Sequence, residues 1–244
     1  MINPNLNLRE LKYQFLRDGI ITIENWLDPE YAYQLWNHLN TMPRNWWCVS
    51  SRPAIDGDMH ITEWTDENLE YIKACNQHAR NAFAQDIFSY IFRRTANNHF
   101  QDCTCAECNF RRDVLSDEVV HFLDFITGYK ITQTNELFAS WYDGGDFLSP
   151  HSDGPNGVLG FVYNLSANWK PQWGGNLHFQ NMQDETKVDK VNVPQYNTLT
   201  MFDIATTQGH THFVSEVVGN APEKRLAMTG WWGQSSNNTN TLQY

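Results

Sequence analysis

Two histidines and one aspartate in the second half of the chain have the types and the spacing that hold a metal ion. His151 and Asp153 are separated by one residue and follow a glycine-rich turn, at a point where a strand is expected to end. Residues two apart in a strand project to the same face, so this imidazole and this carboxylate can reach one ion together. His212 lies on a later apolar segment and can supply the third ligand, for which His210 is an alternative.

This set of ligands indicates which metal chemistry to expect. Two imidazoles and one carboxylate occupy one face of an octahedral ion and leave three positions open, as in non-haem iron(II) oxygenases. Three open positions allow the ion to bind a chelating cosubstrate and still take O₂. A His-x-Asp pair alone is a weak signal in a chain with 9 histidines, so the residues around it decide the interpretation.

A single arginine strengthens the case for an anionic ligand near the metal. Arg225 opens the apolar segment 225–232. A charge buried there without a partner is costly, so the guanidinium needs an anion. Its planar donors suit a carboxylate. The sequence does not decide whether that carboxylate belongs to a bound ligand or to a protein side chain.

The elements that must position these residues are short strands. From residue 129 onward, apolar or alternating segments are separated by turns rich in glycine, at 143–145, 154–157, 173–175 and 219–222. The predicted strands are 129–142, 157–165, 175–179, 187–193, 198–202, 211–218 and 225–232. Strands at this spacing predict an antiparallel sandwich or barrel with the connectivity of a jelly roll.

The first half of the chain has helical patterns instead. Helices are predicted over residues 8–16, 28–39, 66–92 and 116–125, with one short strand at 20–23. Asp28 is predicted to cap the second helix with Pro29 in its first turn, and Ser116 to cap the last one. The sequence therefore predicts a mainly β protein with N-terminal helices, in which the core packs against those helices.

Size and charge limit the classes of function. The chain has 244 residues and a net charge of −11, which disfavours nucleic acid as a partner because its phosphates bind Lys and Arg. We expect one domain over 1–236, with helical support at 1–128, a jelly-roll core at 129–233 and a polar tail at 237–244. The odd number of 5 cysteines, an N-terminus without a secretory pattern and the lack of a long apolar run predict a cytoplasmic protein without a membrane partner.

The combined motifs resemble a known family. The H-x-D at 151–153, HFVSEV at 212–217 and RLAMTGWW at 225–232 are similar to the signature of 2-oxoglutarate/Fe(II) dioxygenases of the prolyl-hydroxylase type. Within that type the likeness is greatest to the ribosomal-protein prolyl 3-hydroxylase subgroup. The segments WYDGG at 141–145, WGG at 173–175 and FLRDGIITI at 15–23 add to the resemblance, which covers about residues 10–233. It implies a double-stranded β-helix, the jelly roll of this family.

The resemblance also implies roles for particular residues. His151, Asp153 and His212 would be the iron ligands, and Arg225 would pair with the distal carboxylate of 2-oxoglutarate. Tyr142 would hydrogen-bond nearby. Asn164 stands where the family often has a tyrosine, and Thr229 would compensate for an alanine at 227 where the family often has a hydroxyl.

The activity that the resemblance implies is the hydroxylation of an unactivated C–H bond with Fe(II), 2-oxoglutarate and O₂, releasing succinate and CO₂. A prolyl residue of a protein or peptide is the expected substrate. Two alternatives remain open: the same chemistry on a free amino acid or other small molecule, and a catalytically silent jelly-roll binding module.

A cysteine-rich segment between the predicted helices forms a second candidate metal site. His99, Cys103, Cys105 and Cys108 place four soft ligands within ten residues, a density typical of structural zinc sites. The single residue between Cys103 and Cys105 is a closer spacing than the usual two to four. The alternative interpretation is a reduced loop near the mouth of the active site.

Overall fold

The structure, a computed structural model, describes residues 1–95, 102–205 and 210–234. In these ranges the α-helices are α1 (Leu8–Asp18), α2 (Pro29–Thr41), α3 (Leu69–Phe83), α4 (Ala106–Asp113) and α5 (Asp117–Thr127). The strands are β1 (Ile20–Glu24), β2 (Trp47–Arg52), β3 (His60–Glu63), β4 (Tyr90–Thr95), β5 (Gln133–Tyr142), β6 (Phe147–His151), β7 (Leu159–Asn164), β8 (Leu177–Gln180), β9 (Val188–Asn192), β10 (Thr198–Asp203), β11 (His212–Val214) and β12 (Arg225–Gly233).

These strands form an antiparallel jelly-roll core that is nearly closed into a barrel. The larger part of the sheet runs in the order β1-β10-β7-β12-β5-β4, and β2 and β3 extend it from β4. The smaller part runs β6-β11-β8-β9 and joins the larger part where β6 pairs with β4. The predicted mainly β fold with a double-stranded β-helix core packed against helices is confirmed.

Alternation along β12 separates the helix-packed core from the barrel interior. Leu226, Met228 and Trp232 are fully buried in the main apolar cluster, which also contains the inner faces of α1, α2, α4 and α5. Arg225 and Thr229 have the opposite parity and line a cavity inside the barrel. The helices therefore cover one face of the large sheet and leave its other face for the site.

The helix boundaries follow local capping chemistry. Asp28 caps α2, and its carboxylate accepts hydrogen bonds from the N–H groups of Glu30 and Tyr31 at 3.0 and 3.3 Å. Pro29 opens the first turn as predicted. Ser116 occupies the cap position of α5, but its side chain makes no capping hydrogen bond.

One predicted element is wrong in its second half. The helix predicted over 66–92 ends at Phe83, and Asp86 has a φ of 57°, which a right-handed helix does not accommodate. The chain then enters β4, which pairs with β2, β5 and β6. Because β1 to β4 all join the sheet, residues 1–128 contribute strands as well as helical support.

Within the described residues, no helix combines the length and the apolar character needed to cross a membrane. The predicted polar tail at 237–244 lies outside the described residues.

Candidate metal and cosubstrate site

Strand pairing brings the three predicted metal ligands together. β6 ends at His151, and antiparallel pairing with β11 sets His212 directly opposite it. The two imidazole rings have their centroids 4.3 Å apart. Asp153 follows β6 by two residues and turns its carboxylate toward both rings. Sixty residues of chain separate the ligands, and the sheet register closes that gap.

The distances among these ligands fit a single ion. Asp153 Oδ1 lies 3.4 Å from His151 Nε2, and Asp153 Oδ2 lies 3.7 Å from His212 Nε2. The three ligand atoms lie within 4.8 Å of one another. An ion that bonds nitrogen and oxygen at roughly 2.0–2.2 Å can therefore contact all three.

Backbone carbonyls orient both imidazoles. His151 Nδ1 donates to the carbonyl oxygen of Ser149 at 3.0 Å, and His212 Nδ1 donates to that of His210 at 2.8 Å. A carbonyl can only accept, so each Nδ1 carries the proton and each Nε2 keeps its lone pair for a metal.

His210, the alternative third ligand, directs its ring elsewhere. Its Nε2 lies 3.0 Å from the position that a Cβ on Gly19 would occupy, next to the start of β1. Its ring centroid is 6.2 Å from that of Phe179. Among the described residues, the group that can share an ion contains His212 and not His210, whose carbonyl serves instead to hold the His212 ring.

The protonation states of the site also suit a divalent metal. Burial and the neighbouring charge of His151 lower the pKa of His212 to about 4, so its imidazole is neutral at neutral pH. Burial raises the pKa of Asp153, but its side-chain interactions with His151 and His212 lower it by more. The net pKa of Asp153 is below its ordinary value, and the carboxylate is ionised.

The guanidinium of Arg225 is buried, and the described residues accept hydrogen bonds from only some of its donors. Its side chain is 1% exposed, and Nε donates to the carbonyl oxygen of Gly175 at 3.1 Å. The guanidinium lies 4.6 Å from the ring centroid of Tyr142. Nη2 has no hydrogen-bond partner among the described residues, and burial lowers the pKa of the side chain. A carboxylate ligand would remove this unmet demand, so the site fits the distal end of a diacid.

The Gly174-Gly175 turn makes the approach to Arg225 possible. Both residues have positive φ, 71° and 65°. A Cβ on Gly174 would lie 1.9 Å from the carbonyl oxygen of Glu216, and one on Gly175 would lie 3.1 Å from Arg225 Cγ. Only glycine allows the turn to lie this close to the arginine.

One cavity of about 320 Å³ contains most of the predicted site residues. The metal-ligand group, Arg225, Tyr142 and Thr229 all line it. Asn164 does not: its side chain is buried, and Oδ1 has no hydrogen-bond partner among the described residues, but it is not part of the cavity lining. The structure thus brings the residues predicted to bind iron and 2-oxoglutarate into one cavity, with the exception of Asn164.

Several residues of the cavity were not found from the sequence. Arg52, Arg94 and Glu136 line it, and the Arg94 guanidinium lies 4.1 Å from the ring centroid of Phe138. Gly160 faces the site on β7, where a Cβ would come within 2.6 Å of the Phe202 ring and 3.0 Å of Asp153 Oδ2. Glycine inside a strand was the available signal, because it often marks a close approach.

The predicted zinc ligands are placed in part. Cys103, Cys105 and Cys108 bring their sulfur atoms within 4.8 Å of one another. His99, the fourth predicted ligand, lies outside the described residues.

Comparison with protein families identifies the segment that carries the site. Residues 137–233 match the model of the 2OG-Fe(II) oxygenase superfamily. This segment contains the three metal-ligand candidates and Arg225. No curated protein has a sequence significantly similar to this chain.

Solved structures with a similar fold span nearly the whole chain. A prolyl hydroxylase from Trichoplax adhaerens, in complex with a hypoxia inducible factor oxygen degradation domain peptide fragment, has a TM-score of 0.60 and 17% identity; the match covers 93% of this chain and 88% of that one. An oxidoreductase of the 2OG-Fe(II) oxygenase family from Burkholderia pseudomallei has a TM-score of 0.59 and 13% identity, covering 96% and 93%. The non-heme alpha ketoglutarate dependent epimerase SnoN from nogalamycin biosynthesis has a TM-score of 0.52 and 12% identity, covering 91% and 80%. At these identities the likeness concerns the fold, which serves more than one reaction.

Proposed function

We propose that this chain, whose residues 137–233 match the model of the 2OG-Fe(II) oxygenase superfamily, is a dioxygenase that hydroxylates an unactivated C–H bond of a prolyl residue in a protein or peptide. The reaction would consume 2-oxoglutarate and O₂ and release succinate and CO₂. The observation that carries the proposal is the meeting of the metal-ligand group and the unsatisfied Arg225 guanidinium in one cavity.

The proposed assignment of residues follows from this geometry. His151, Asp153 and His212 would hold Fe(II), which supplies O₂ activation coupled to oxidative decarboxylation of the cosubstrate. Arg225 would bind the distal carboxylate of 2-oxoglutarate, with Tyr142 against its guanidinium. Thr229 lines the same cavity and would add a hydroxyl donor, whereas Asn164 would contact the cosubstrate only after a change in the cavity wall.

The chain's own contribution is to orient groups and exclude water. The carbonyl oxygens of Ser149 and His210 fix which imidazole nitrogen faces the metal. Aromatic rings shield the imidazoles: Phe202 lies 4.7 Å from the His212 ring and Phe88 lies 5.3 Å from the His151 ring. A reactive centre enclosed in this way is protected from side reactions with solvent.

The walls of the cavity support an apolar, flat substrate group. Tyr90, Phe88 and Trp231 line it, and the hairpin of β2 and β3 adds Met59 and Ile61, which are 55% and 53% exposed. Aromatic faces pack well against a pyrrolidine ring, and exposed apolar side chains at the rim suit an extended peptide. The peptide held by the Trichoplax prolyl hydroxylase agrees with this substrate class.

The direct test is a substrate screen with purified, iron-loaded protein. Succinate release and gain of one oxygen atom by mass spectrometry would be measured on proline-containing peptides and on free amino acids. We expect turnover on a peptide and a product that retains the peptide sequence with a hydroxylated proline. Under anaerobic conditions, Fe(II) with 2-oxoglutarate should give a visible charge-transfer band; its absence would contradict the cosubstrate assignment.

A second candidate substrate class is a free amino acid or other small carboxylic acid. The observation that favours it is Arg94, which lines the cavity and has its pKa lowered, mainly by burial. A small substrate with its own carboxylate could pair with this guanidinium, whereas an internal prolyl residue has no such group. If Arg94→Met removes turnover of a free amino acid but leaves peptide turnover intact, the two classes are distinguished.

A further inference from the structure

Three cysteine thiols form a compact cluster at the start of α4: Cys103 and Cys105 precede the helix, and Cys108 lies in its first turn. The sulfur atoms of Cys103, Cys105 and Cys108 all lie within 4.8 Å of one another. Cys108 is buried and the other two are partly exposed. In a tetrahedral zinc site with Zn–S bonds of about 2.3 Å, sulfur atoms are about 3.8 Å apart, so small rotamer changes would bring these three into range.

Local hydrogen bonds hold the backbone that presents the thiols. Cys105 is the N-cap of α4, and its Sγ accepts from the N–H of Cys108 at 3.4 Å. Arg112 Nη2 donates to the carbonyl oxygen of Cys103 at 3.0 Å, and Asn109 Nδ2 donates to that of Thr104 at 3.1 Å. Side chains of α4 therefore bind the segment in front of it and hold the three thiols on one side of the first turn.

We propose that Cys103, Cys105 and Cys108 bind one Zn²⁺ ion, in a site separate from the proposed iron centre. Binding is a ligand exchange without a redox step: each thiol loses its proton to solvent and each sulfur forms one bond to zinc. Three thiolates leave one tetrahedral position, which water or a further side chain can take. Soft thiolates select zinc over Fe(II).

Zinc at this site would stabilise the packing of α4 against the sheet. Phe110 on α4 stacks on Tyr163 with ring centroids 5.6 Å apart, and Glu107 accepts from the hydroxyl of Thr95 at 2.7 Å. Arg111 donates to the backbone carbonyl of Leu137 on β5. Zinc at the start of α4 would fix this helix against β4 and β5, the strands that carry Arg94 and Phe138 into the cavity.

Metal analysis of the full chain tests the proposal, whether or not the oxygenase activity is found. Protein would be produced with added zinc and purified without chelator, and zinc per chain would be measured by elemental analysis. We expect Cys108→Ser and Cys105→Ser each to bind about one zinc per chain less than the wild-type protein. Cys48→Ser, which alters a buried thiol elsewhere, should keep the zinc, as should His212→Ala, which removes a proposed iron ligand. Zinc that disappears in His212→Ala but stays in Cys108→Ser would assign the ion to the histidines and overturn the proposal.

Cobalt substitution tests the same site without any cysteine variant. Co²⁺ bound to thiolates gives a strong near-ultraviolet sulfur-to-metal charge-transfer band, whereas Co²⁺ bound to imidazole and carboxylate does not. We expect that band in wild-type protein and in His212→Ala, with displacement by one equivalent of Zn²⁺. Cobalt binding without the band, or a disulfide between any two of the three cysteines in freshly purified protein, would contradict the site.

Discussion

The two metal-ligand clusters of this chain are assembled in opposite ways. The barrel cluster, formed by His151, Asp153 and His212, depends on the register of β6 against β11, and a backbone carbonyl orients each of its two imidazoles. The thiol cluster of Cys103, Cys105 and Cys108 depends only on the segment before α4 and its first turn. The first has nitrogen and oxygen ligands inside the barrel, next to an unsatisfied arginine, and the second has sulfur ligands at a helix start. The first arrangement depends on strand pairing across the sheet, whereas the second can form from one short segment.

The largest expected effect on activity comes from His212→Ala, which removes one ligand of the barrel cluster. Succinate formation should fall to background, because a buried imidazole with its pKa lowered to about 4 is replaced by a methyl group that cannot ligate. His210→Ala is the matched control, since its carbonyl, which orients His212, remains. Activity and bound iron would be measured in both variants. Retained turnover in His212→Ala, or complete loss in His210→Ala only, would reverse the ligand assignment.

The choice between His210 and His212 also shows which parts of the site could be predicted from the sequence alone. The His-x-Asp spacing predicted two ligands from strand geometry, because both lie in one local segment. The choice between His210 and His212 depends on strand pairing across the barrel, and residue types could not decide it; the family resemblance did. Arg225 was predicted from its place at the head of an apolar strand. That its Nη2 has no partner within the ranges the structure describes follows from burial inside the barrel, which no local sequence pattern encodes.

Some secondary-structure elements could not be predicted from the sequence, and the reasons are physical. Residues 66–92 keep apolar positions at helical spacing across the break after Phe83, so periodicity alone could not show that β4 begins at Tyr90. In β2 the first five residues are all buried, which removes the alternation that identifies a half-buried strand. Asn164 has the correct parity for the interior, yet it does not line the cavity.

Arg225→Met tests whether the barrel cluster, unlike the thiol cluster, binds its ligand next to a buried guanidinium. If the barrel cluster serves a diacid, removing the buried partner of its carboxylate should raise the KM for 2-oxoglutarate roughly 100-fold, by analogy with other buried charge pairs. Zinc content should not change, because Arg225 lies at the start of β12 whereas the thiols lie at the start of α4. Arg44→Met, which removes an exposed guanidinium paired with Asp66, is the control. An unchanged KM in Arg225→Met would show that the anion binds elsewhere.

A smaller effect is expected from Gly160→Ala, which crowds the barrel cluster without removing a ligand. The new Cβ would lie 2.6 Å from the Phe202 ring and 3.0 Å from Asp153 Oδ2, so the ring and the carboxylate must both shift. Changes of this kind around a ligand weaken metal binding by roughly 10-fold or more. Iron affinity would be compared with Gly219→Ala, where a Cβ would meet no described atom within 4 Å. Equal affinity in the two variants would mean that Asp153 tolerates displacement.

The smallest effect, in Thr95→Val, tests whether the two clusters are linked through the fold. The Thr95 hydroxyl donates to buried Glu107 at the start of α4 and accepts from the N–H of Ala139 on β5 at 3.3 Å, so it joins the helix of the thiol cluster to the barrel. Removing it should cost about 2 kcal/mol, because a buried carboxylate loses a donor, which is roughly 5 °C in Tm for a chain of this size. Thr22→Val is the matched control, since the Thr22 hydroxyl is buried without a hydrogen-bond partner in the described part of the chain and its loss should be nearly neutral. If the link matters only for stability, kcat in Thr95→Val will change less than twofold while both Tm and zinc retention fall. A large drop in kcat with unchanged Tm would instead mean that α4 positions the cavity wall directly, and the division between a structural and a reactive cluster would no longer hold.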